Sequence, residues 1–234
     1  METLTIIIPT YNEQKTIKKI LKKVEQTKIP LNKEIIIIDD ASKDDTIKKI
    51  EEFKKNTTLN IKIKKHNENK GKGAAIKKGI KQATGKYIII QDADLEYDPN
   101  DYNKLLKPLI TGNANVVYGS RFLQINKNKQ PFKFHTLGNK ILTNFSNMMT
   151  GLKLTDMETC YKLFETKIIK KIKLEESRFG IEPEITAKIA RIKNIKIQEI
   201  PIKYEGRTKI DGKKINWKDG FRAIYVIIKY KIKK

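Results

Sequence analysis

The chain of 234 residues carries one cysteine, Cys160, which excludes an intramolecular disulfide and fits the reducing cytoplasm. Histidine is nearly absent too. His66 and His135 stand far apart in sequence, and neither they nor Cys160 form the close spacing of a zinc site. Long apolar runs are also missing: the longest, such as Ile35 to Ile38 and Ala223 to Ile228, fall well short of the ~20 residues that cross a bilayer. Met1-Glu2-Thr3-Leu4 leads straight into a strand-like segment without a basic leader or a cleavage site, so no signal peptide is expected. Arginine is the last shortage. Of 50 basic residues only Arg121, Arg178, Arg191, Arg207 and Arg222 are arginines. A net charge of +23 would draw any anionic partner, whether nucleic acid, membrane surface or phosphorylated substrate. Groove readers rely on the planar arginine fork, however, so much of this lysine-borne charge reads as solvated background and no nucleic acid is expected.

What the chain does contain, 38% hydrophobic and 33% charged residues, is the composition of an ordinary globular protein, and one α/β domain over 1–234 is the expected organisation. Leu4 to Ile8 is a short β-branched run closed by Pro9, and the following Glu13 to Lys28 places Ile17, Ile20, Leu21 and Val24 at helical spacing. The unit repeats: strand Glu34 to Ile38, helix Asp44 to Phe53 with Ser42 or Asp44 as its cap, strand Asn60 to Lys64, helix Gly73 to Ala83, and strands Lys86 to Ile90 and Asn115 to Tyr118. Such alternation predicts a mostly parallel sheet between helices. After Arg121 the rhythm changes to a polar Asn/Lys-rich loop over 123–130 and then to helices. Phe134, Leu137, Ile141, Leu142, Phe145, Met148 and Met149 recur at helical spacing. Leu163 to Ile172, Pro183 to Arg191 and Asp219 to Lys231 read as further helices. Ile195 to Tyr204 reads as a strand that Pro201 confines to a sheet edge.

In an open parallel sheet, ligands sit beyond the carboxyl ends of the strands. Three runs end there in polar clusters: Pro9-Thr10-Tyr11-Asn12-Glu13, Asp39-Asp40-Ala41-Ser42 and Asp92-Ala93-Asp94-Leu95-Glu96. Each alone could be a turn or a helix cap. Together they predict one site.

With these clusters, the order Asn69-Lys70-Gly71-Lys72-Gly73, then Gly119-Ser120-Arg121-Phe122, then Thr155-Asp156-Met157-Glu158-Thr159-Cys160-Tyr161-Lys162, resembles the family 2 glycosyltransferases of GT-A fold. Within that family the similarity is to the polyprenyl-phosphate, dolichol-phosphate mannose synthase-like branch. The resemblance runs through most of the chain. It implies a mostly parallel sheet flanked by helices, with a nucleotide-sugar-binding half over 1–122 and a helical acceptor-side half over 123–234. It further implies an inverting transfer of a hexose from a GDP- or UDP-sugar to a dolichyl or undecaprenyl phosphate. Base and ribose are then expected against Pro9, Tyr11, Glu13, Ile38, Asp40 and Ala93.

The chemistry of the residues agrees with that expectation. Departure of a nucleoside diphosphate leaves negative charge on oxygen, and Asp92, Asp94 and Glu96 offer hard ligands for a Mg²⁺ or Mn²⁺ that would meet it. Arg121, after a strand and a Gly-Ser turn, and Arg207 with Lys213 in a basic loop are expected as phosphate grips. Arg121 in particular is expected to serve phosphate rather than the fold. Asn69 to Gly73 is not a Walker loop; its glycines are expected to shape a turn and to let the next helix pack closely, with Lys72 facing the donor. Asp156 and Glu158 fall in the acceptor-side acidic segment of the resembling family. A hydroxyl acceptor would use Asp156 as its base, whereas a phosphate acceptor, with a second pKa near ~6, needs no strong base and leaves Asp156 a positioning role. As an alternative, Asp156 caps a helix beginning at Thr159. The stripe from Phe134 to Met149 fits either the core or a membrane interface, and the basic, amphipathic stretch Phe221 to Lys234 invites anionic lipid. A peripheral place on the cytoplasmic membrane face is therefore expected, against two rivals: transfer to a glycan hydroxyl, and a non-catalytic nucleic-acid binder.

Overall fold

The computed structural model describes residues 1–123, 133–206 and 217–232, with side chains for all of these but 133–135 and 217–218. Most of the polar stretch expected as a loop over 123–130 lies outside the described residues. In chain order the elements are β1 (Thr3–Thr10), α1 (Ile17–Gln26), β2 (Asn32–Asp39), α2 (Thr46–Lys55), β3 (Asn60–Lys65), α3 (Lys72–Gln82), β4 (Tyr87–Ile90) and α4 (Tyr102–Ile110). There follow β5 (Val116–Ser120), α5 (Lys133–Thr150), β6 (Lys162–Glu165), the single turn α6 (Thr166–Ile169), α7 (Ile181–Ile189), β7 (Ile197–Pro201) and α8 (Trp217–Ile232).

Among the described residues seven strands form one sheet in the order β3-β2-β1-β4-β6-β5-β7. Every neighbouring pair is parallel except those made by β6, which runs against both β4 and β5. The central strands are the isoleucine-rich runs. Ile6, Ile35 and Ile89 stand side by side across β1, β2 and β4, and all are fully buried. Continuous apolar strands of this kind belong to a sheet covered on both faces. Ile17, Ile20, Leu21 and Val24 of α1 and Ile76 of α3 complete that cover. β7 lies at the sheet edge, where Pro201 lacks only a donor that an edge strand does not need.

Two stretches differ from expectation. Leu163 to Ile172 is not one helix but β6 and the short α6, and α4 was not anticipated. Phe164 of β6 fills the slot between Ile88 of β4 and Val116 of β5, so nonlocal pairing overrides helical spacing. α4 was obscured by the turn-forming Asp98 to Asp101 before it and by Pro108 within it. Asp156 accordingly caps no helix, because the chain after it enters β6.

The antiparallel strand matters for function. Because β1, β2, β4 and β5 are parallel, their carboxyl ends share one edge of the sheet, and the residues just before β6 arrive at that same edge. Non-glycine residues with left-handed backbone sit in all three strand-end clusters: Asn12 (φ 53°), Ala41 (φ 63°) and Leu95 (φ 69°). Each such residue costs roughly 1 kcal/mol, and strain of this kind concentrates at functional sites. The first two loops are tied together: Asn12 N–H donates to Ser42 Oγ at 2.9 Å and Lys43 N–H to Asn12 Oδ1 at 2.8 Å. No helix among the described residues is long and apolar enough to cross a membrane.

Candidate active site

The strand ends enclose a cleft of about 410 Å³. Pro9, Tyr11, Glu13, Asp40, Asp92, Ala93, Asp94, Glu96 and Arg121 of the expected site all line it. Ile38 does not: its side chain is fully buried in the core, and only its strand touches the site's rim, where Ile38 carbonyl accepts the Thr10 hydroxyl. Alternation along β2 sends that side chain into a helix-covered face. Arg207 and Lys213 lie outside the described residues.

Asp40 is buried and heavily engaged. It accepts from Lys70 N–H at 2.9 Å and Gly71 N–H at 2.7 Å, and His66 Nδ1 lies 2.7 Å from it. Its carboxylate therefore fixes the loop that carries Lys72. Gly71, at φ +95°, and Gly73 let segment 176–178 close on that loop. A Cβ on either glycine would come within 2.6 Å of a backbone oxygen there. The close approach delivers Arg178 and Phe179 to the cleft wall. Gly71 shapes the expected turn, whereas the close approach comes from segment 176–178 and not from the packing of the next helix.

Lys72 Nζ lies 2.9 Å from Asp92 and 3.5 Å from Glu182, and Glu182 in turn pairs at 2.5 Å with the fully buried Lys162. Burial opposes the charge on Lys72, but the carboxylates of Asp92 and Glu182 outweigh it and raise its pKa. Burial also raises the pKa of the Cys160 thiol, reinforced by Asp92, which disfavours the thiolate form. Beneath β4, Gln91 Oε1 accepts the hydroxyls of Tyr102 and Tyr161, each at 2.6 Å, and Tyr97 stacks on Tyr161 at 4.7 Å to floor the cleft.

Asp92 and Asp94 are partly exposed in the wall, while Glu96 accepts the Tyr204 hydroxyl at 3.0 Å. Among the described residues no three Asp, Glu, His or Cys side chains gather to hold a metal ion, so the expected three-carboxylate set is not assembled. Magnesium is commonly held by one or two carboxylates plus substrate phosphates, and Asp94 and Asp92, the latter also paired with Lys72, are the cleft carboxylates that would supply such a donor set.

Around Asp156 the structure departs furthest from expectation. Asp156 is fully buried and outside the cleft wall. It accepts from Arg121 three times: from backbone N–H at 3.0 Å, Nε at 2.7 Å and a terminal nitrogen at 2.7 Å. Burial opposes the Arg121 charge, Asp156 outweighs it, and the pKa rises further. The planar fork expected for phosphate thus grips a carboxylate. Asp156 backbone N–H donates to Glu199 of β7 at 3.1 Å, which ties the segment to the sheet edge. Glu158, by contrast, lines the cleft. Tyr97, Arg178, Phe179 and Tyr204 also line it and were not anticipated. Only Arg178, as one of five arginines, carried a signal in sequence.

The stripe on α5 divides. Leu142, Phe145 and Met149 pack on the core, while Leu137, Ile141 and Met148 are 58%, 57% and 69% exposed. The Phe134 side chain lies outside those described. α5 packs beside α8, which exposes Phe221, Tyr225, Ile228 and Ile232. Thr136 and Asn139 place the first turns of α5 at the cleft.

A parallel sheet with a single reversed strand, and a carboxylate-rich cleft at its carboxyl edge, define a GT-A-type nucleotide-sugar transferase. The chain belongs to glycosyl transferase family 2, whose model matches residues 5–173. It is 31% identical to the UDP-N-acetylglucosamine–dolichyl-phosphate N-acetylglucosaminyltransferase of Methanococcus voltae over 249 residues, covering 98% of this chain and 96% of that one. It is 29% identical over 235 residues to the dolichyl-phosphate beta-glucosyltransferase of Dictyostelium discoideum, covering 91% and 68%. Among solved structures, its fold is similar to that of glucosyl-3-phosphoglycerate synthase from Mycobacterium tuberculosis, crystallised with Mn²⁺, UDP and phosphoglyceric acid. The TM-score is 0.77 at 14% identity, covering 98% of this chain and 78% of that one.

Proposed function

We propose that this glycosyltransferase moves a hexose, with inversion, from a GDP- or UDP-sugar to a polyprenyl phosphate while attached peripherally to the membrane. The observation that carries the reading is the set of exposed apolar side chains on α5, whose first turns stand at the cleft, and on its neighbour α8. A polyprenyl tail must stay in the bilayer while its phosphate reaches the donor, and a helix face at the cleft brings the two together. Exposed Lys140 and Lys231 on the same helices add attraction to anionic lipid. Relatives that act on dolichyl phosphate support the acceptor class.

Pro9, Tyr11 and Glu13 would bind the nucleoside, with Asp40 shaping that side of the pocket through the loop it holds. Lys72 and Arg178 present cations to the diphosphate from the cleft wall. Asp94 and Asp92 would hold Mg²⁺ or Mn²⁺, which when bound offsets charge on the departing diphosphate. A hydroxyl acceptor with Asp156 as base is disfavoured because that carboxylate is buried and spent on Arg121. Nucleic acid is disfavoured by the carboxylates of the cleft, which without a metal repel phosphate. The test is an assay in detergent offering farnesyl phosphate, farnesol and free sugars with UDP-glucose or GDP-mannose. Transfer to farnesyl phosphate is expected; transfer to hydroxyl acceptors alone would overturn the reading.

A further inference from the structure

Building on the phosphate-acceptor reading, we infer that Glu158 is an acceptor-binding residue that works in its protonated form, donating a hydrogen bond to an acceptor phosphate oxygen other than the one that attacks the sugar. Reversal of β6 brings two acids, Asp156 and Glu158, to the sheet edge. Only Glu158 reaches the cleft wall. Its Oε1 is buried and has no hydrogen-bond partner among the described residues.

The surroundings explain that vacancy of partners. Arg121 at the end of β5 is taken by Asp156, and Lys162 of β6 is taken by Glu182 of α7. The charged groups that act most strongly on Glu158, namely Asp156 in its own segment, Arg121, Lys162 and Glu182, each belong to an existing ion pair among the described residues. Burial, opposed by Lys162 and Arg121 and reinforced by Glu182 and Asp156, pushes its pKa up to about 7. A buried carboxylate oxygen without a partner is costly, and a proton relieves that cost.

A protonated carboxyl offers one O–H, and a phosphate dianion offers only acceptors, so the two are complementary. An ionised Glu158 would instead repel the acceptor within an already acidic cleft. During transfer a phosphate oxygen forms the bond to the sugar's anomeric carbon, the bond from that carbon to the diphosphate breaks, and its electron pair leaves with the diphosphate. Glu158 keeps its proton throughout.

The experiment measures kcat/KM for farnesyl phosphate against pH, with UDP-glucose or GDP-mannose as donor, in wild type, Glu158→Gln and Glu158→Ala, with nucleotide binding measured separately. Wild type should lose about fivefold between pH ~7 and ~8, the fall in the protonated fraction of a group titrating near ~7. Glu158→Gln keeps a donor, so it should stay within about threefold of wild type at pH ~6.5 and lack the alkaline fall. It also reports the acceptor's own titration. Glu158→Ala should raise acceptor KM about tenfold or more and leave nucleotide affinity in place. A wild-type profile that rises through neutral pH together with an inactive Glu158→Gln would make Glu158 a base and overturn the proposal. An alkaline fall retained by Glu158→Gln, or an acceptor KM indifferent to both substitutions, would overturn it equally. Failure of wild type to use farnesyl phosphate at any pH while using hydroxyl acceptors would instead sink the reading on which the proposal rests.

Discussion

Replacing Asp156 by alanine removes the carboxylate that the Arg121 fork grips, in a place where the Asp156 side chain is 0% and the Arg121 side chain 10% exposed. Breaking one partner of a buried ion pair leaves an uncompensated charge and costs about 3–5 kcal/mol. Three charge-assisted hydrogen bonds end on this carboxylate, and the ring of Tyr204, 5.1 Å from the guanidinium, cannot replace them. The effect should therefore sit within that range. For a domain of this size each kcal/mol shifts the melting temperature by about 2–4 °C, so a fall of about 6–20 °C is expected. Adding Arg121→Met removes the stranded charge and should restore at least ~2 kcal/mol, a coupling that a double-mutant cycle by thermal and urea unfolding reads directly. Arg121→Lys should also lower stability, contrary to the expectation from sequence, because an ammonium cannot reproduce the bidentate grip. An Asp156→Ala protein that melts with wild type but has lost turnover would refute this reasoning and return Asp156 to the role of base.

Two other outcomes follow from the cleft and its mouth. Asp94→Asn keeps the acceptor for Glu96 N–H, at 3.2 Å, but loses the charge, so turnover should fall about 100-fold or more with the melting temperature nearly unchanged; full wild-type activity in excess chelator would contradict a metal at this pair. Changing Leu137 and Ile141 together to asparagine removes exposed apolar area without touching the core, so binding to anionic vesicles should weaken at least about tenfold and nucleotide binding should persist. Added salt should weaken wild-type vesicle binding as well, and indifference to both changes would remove the membrane face from the account.

Strands β1, β2 and β4 were legible because buried parallel strands are written as unbroken isoleucine runs, and because each run stops at a polar cluster that the parallel topology must bring to one edge. Pro201 marked the edge strand for a reason equally local. β6 was not legible: Phe164, Ile168 and Ile172 have helical spacing, and only the gap between β4 and β5 makes an extended strand the better solution. Partners across long separations were hidden for the same reason. Nothing in residues 119–122 says that Arg121 will close on an acid 35 positions later. Glycines told that a close approach occurs at 71–73 but not that segment 176–178 makes it, which is why Arg178 and Phe179 were missed.

The chemical identity of the acceptor is tested by product analysis after incubating the enzyme with UDP-glucose or GDP-mannose and farnesyl phosphate. A farnesyl phosphohexose is expected in which the sugar is joined through phosphate, is released by mild acid, and has the anomeric configuration opposite to that of the donor. Sugar joined to a hydroxyl, or a product with retained configuration, would contradict that expectation.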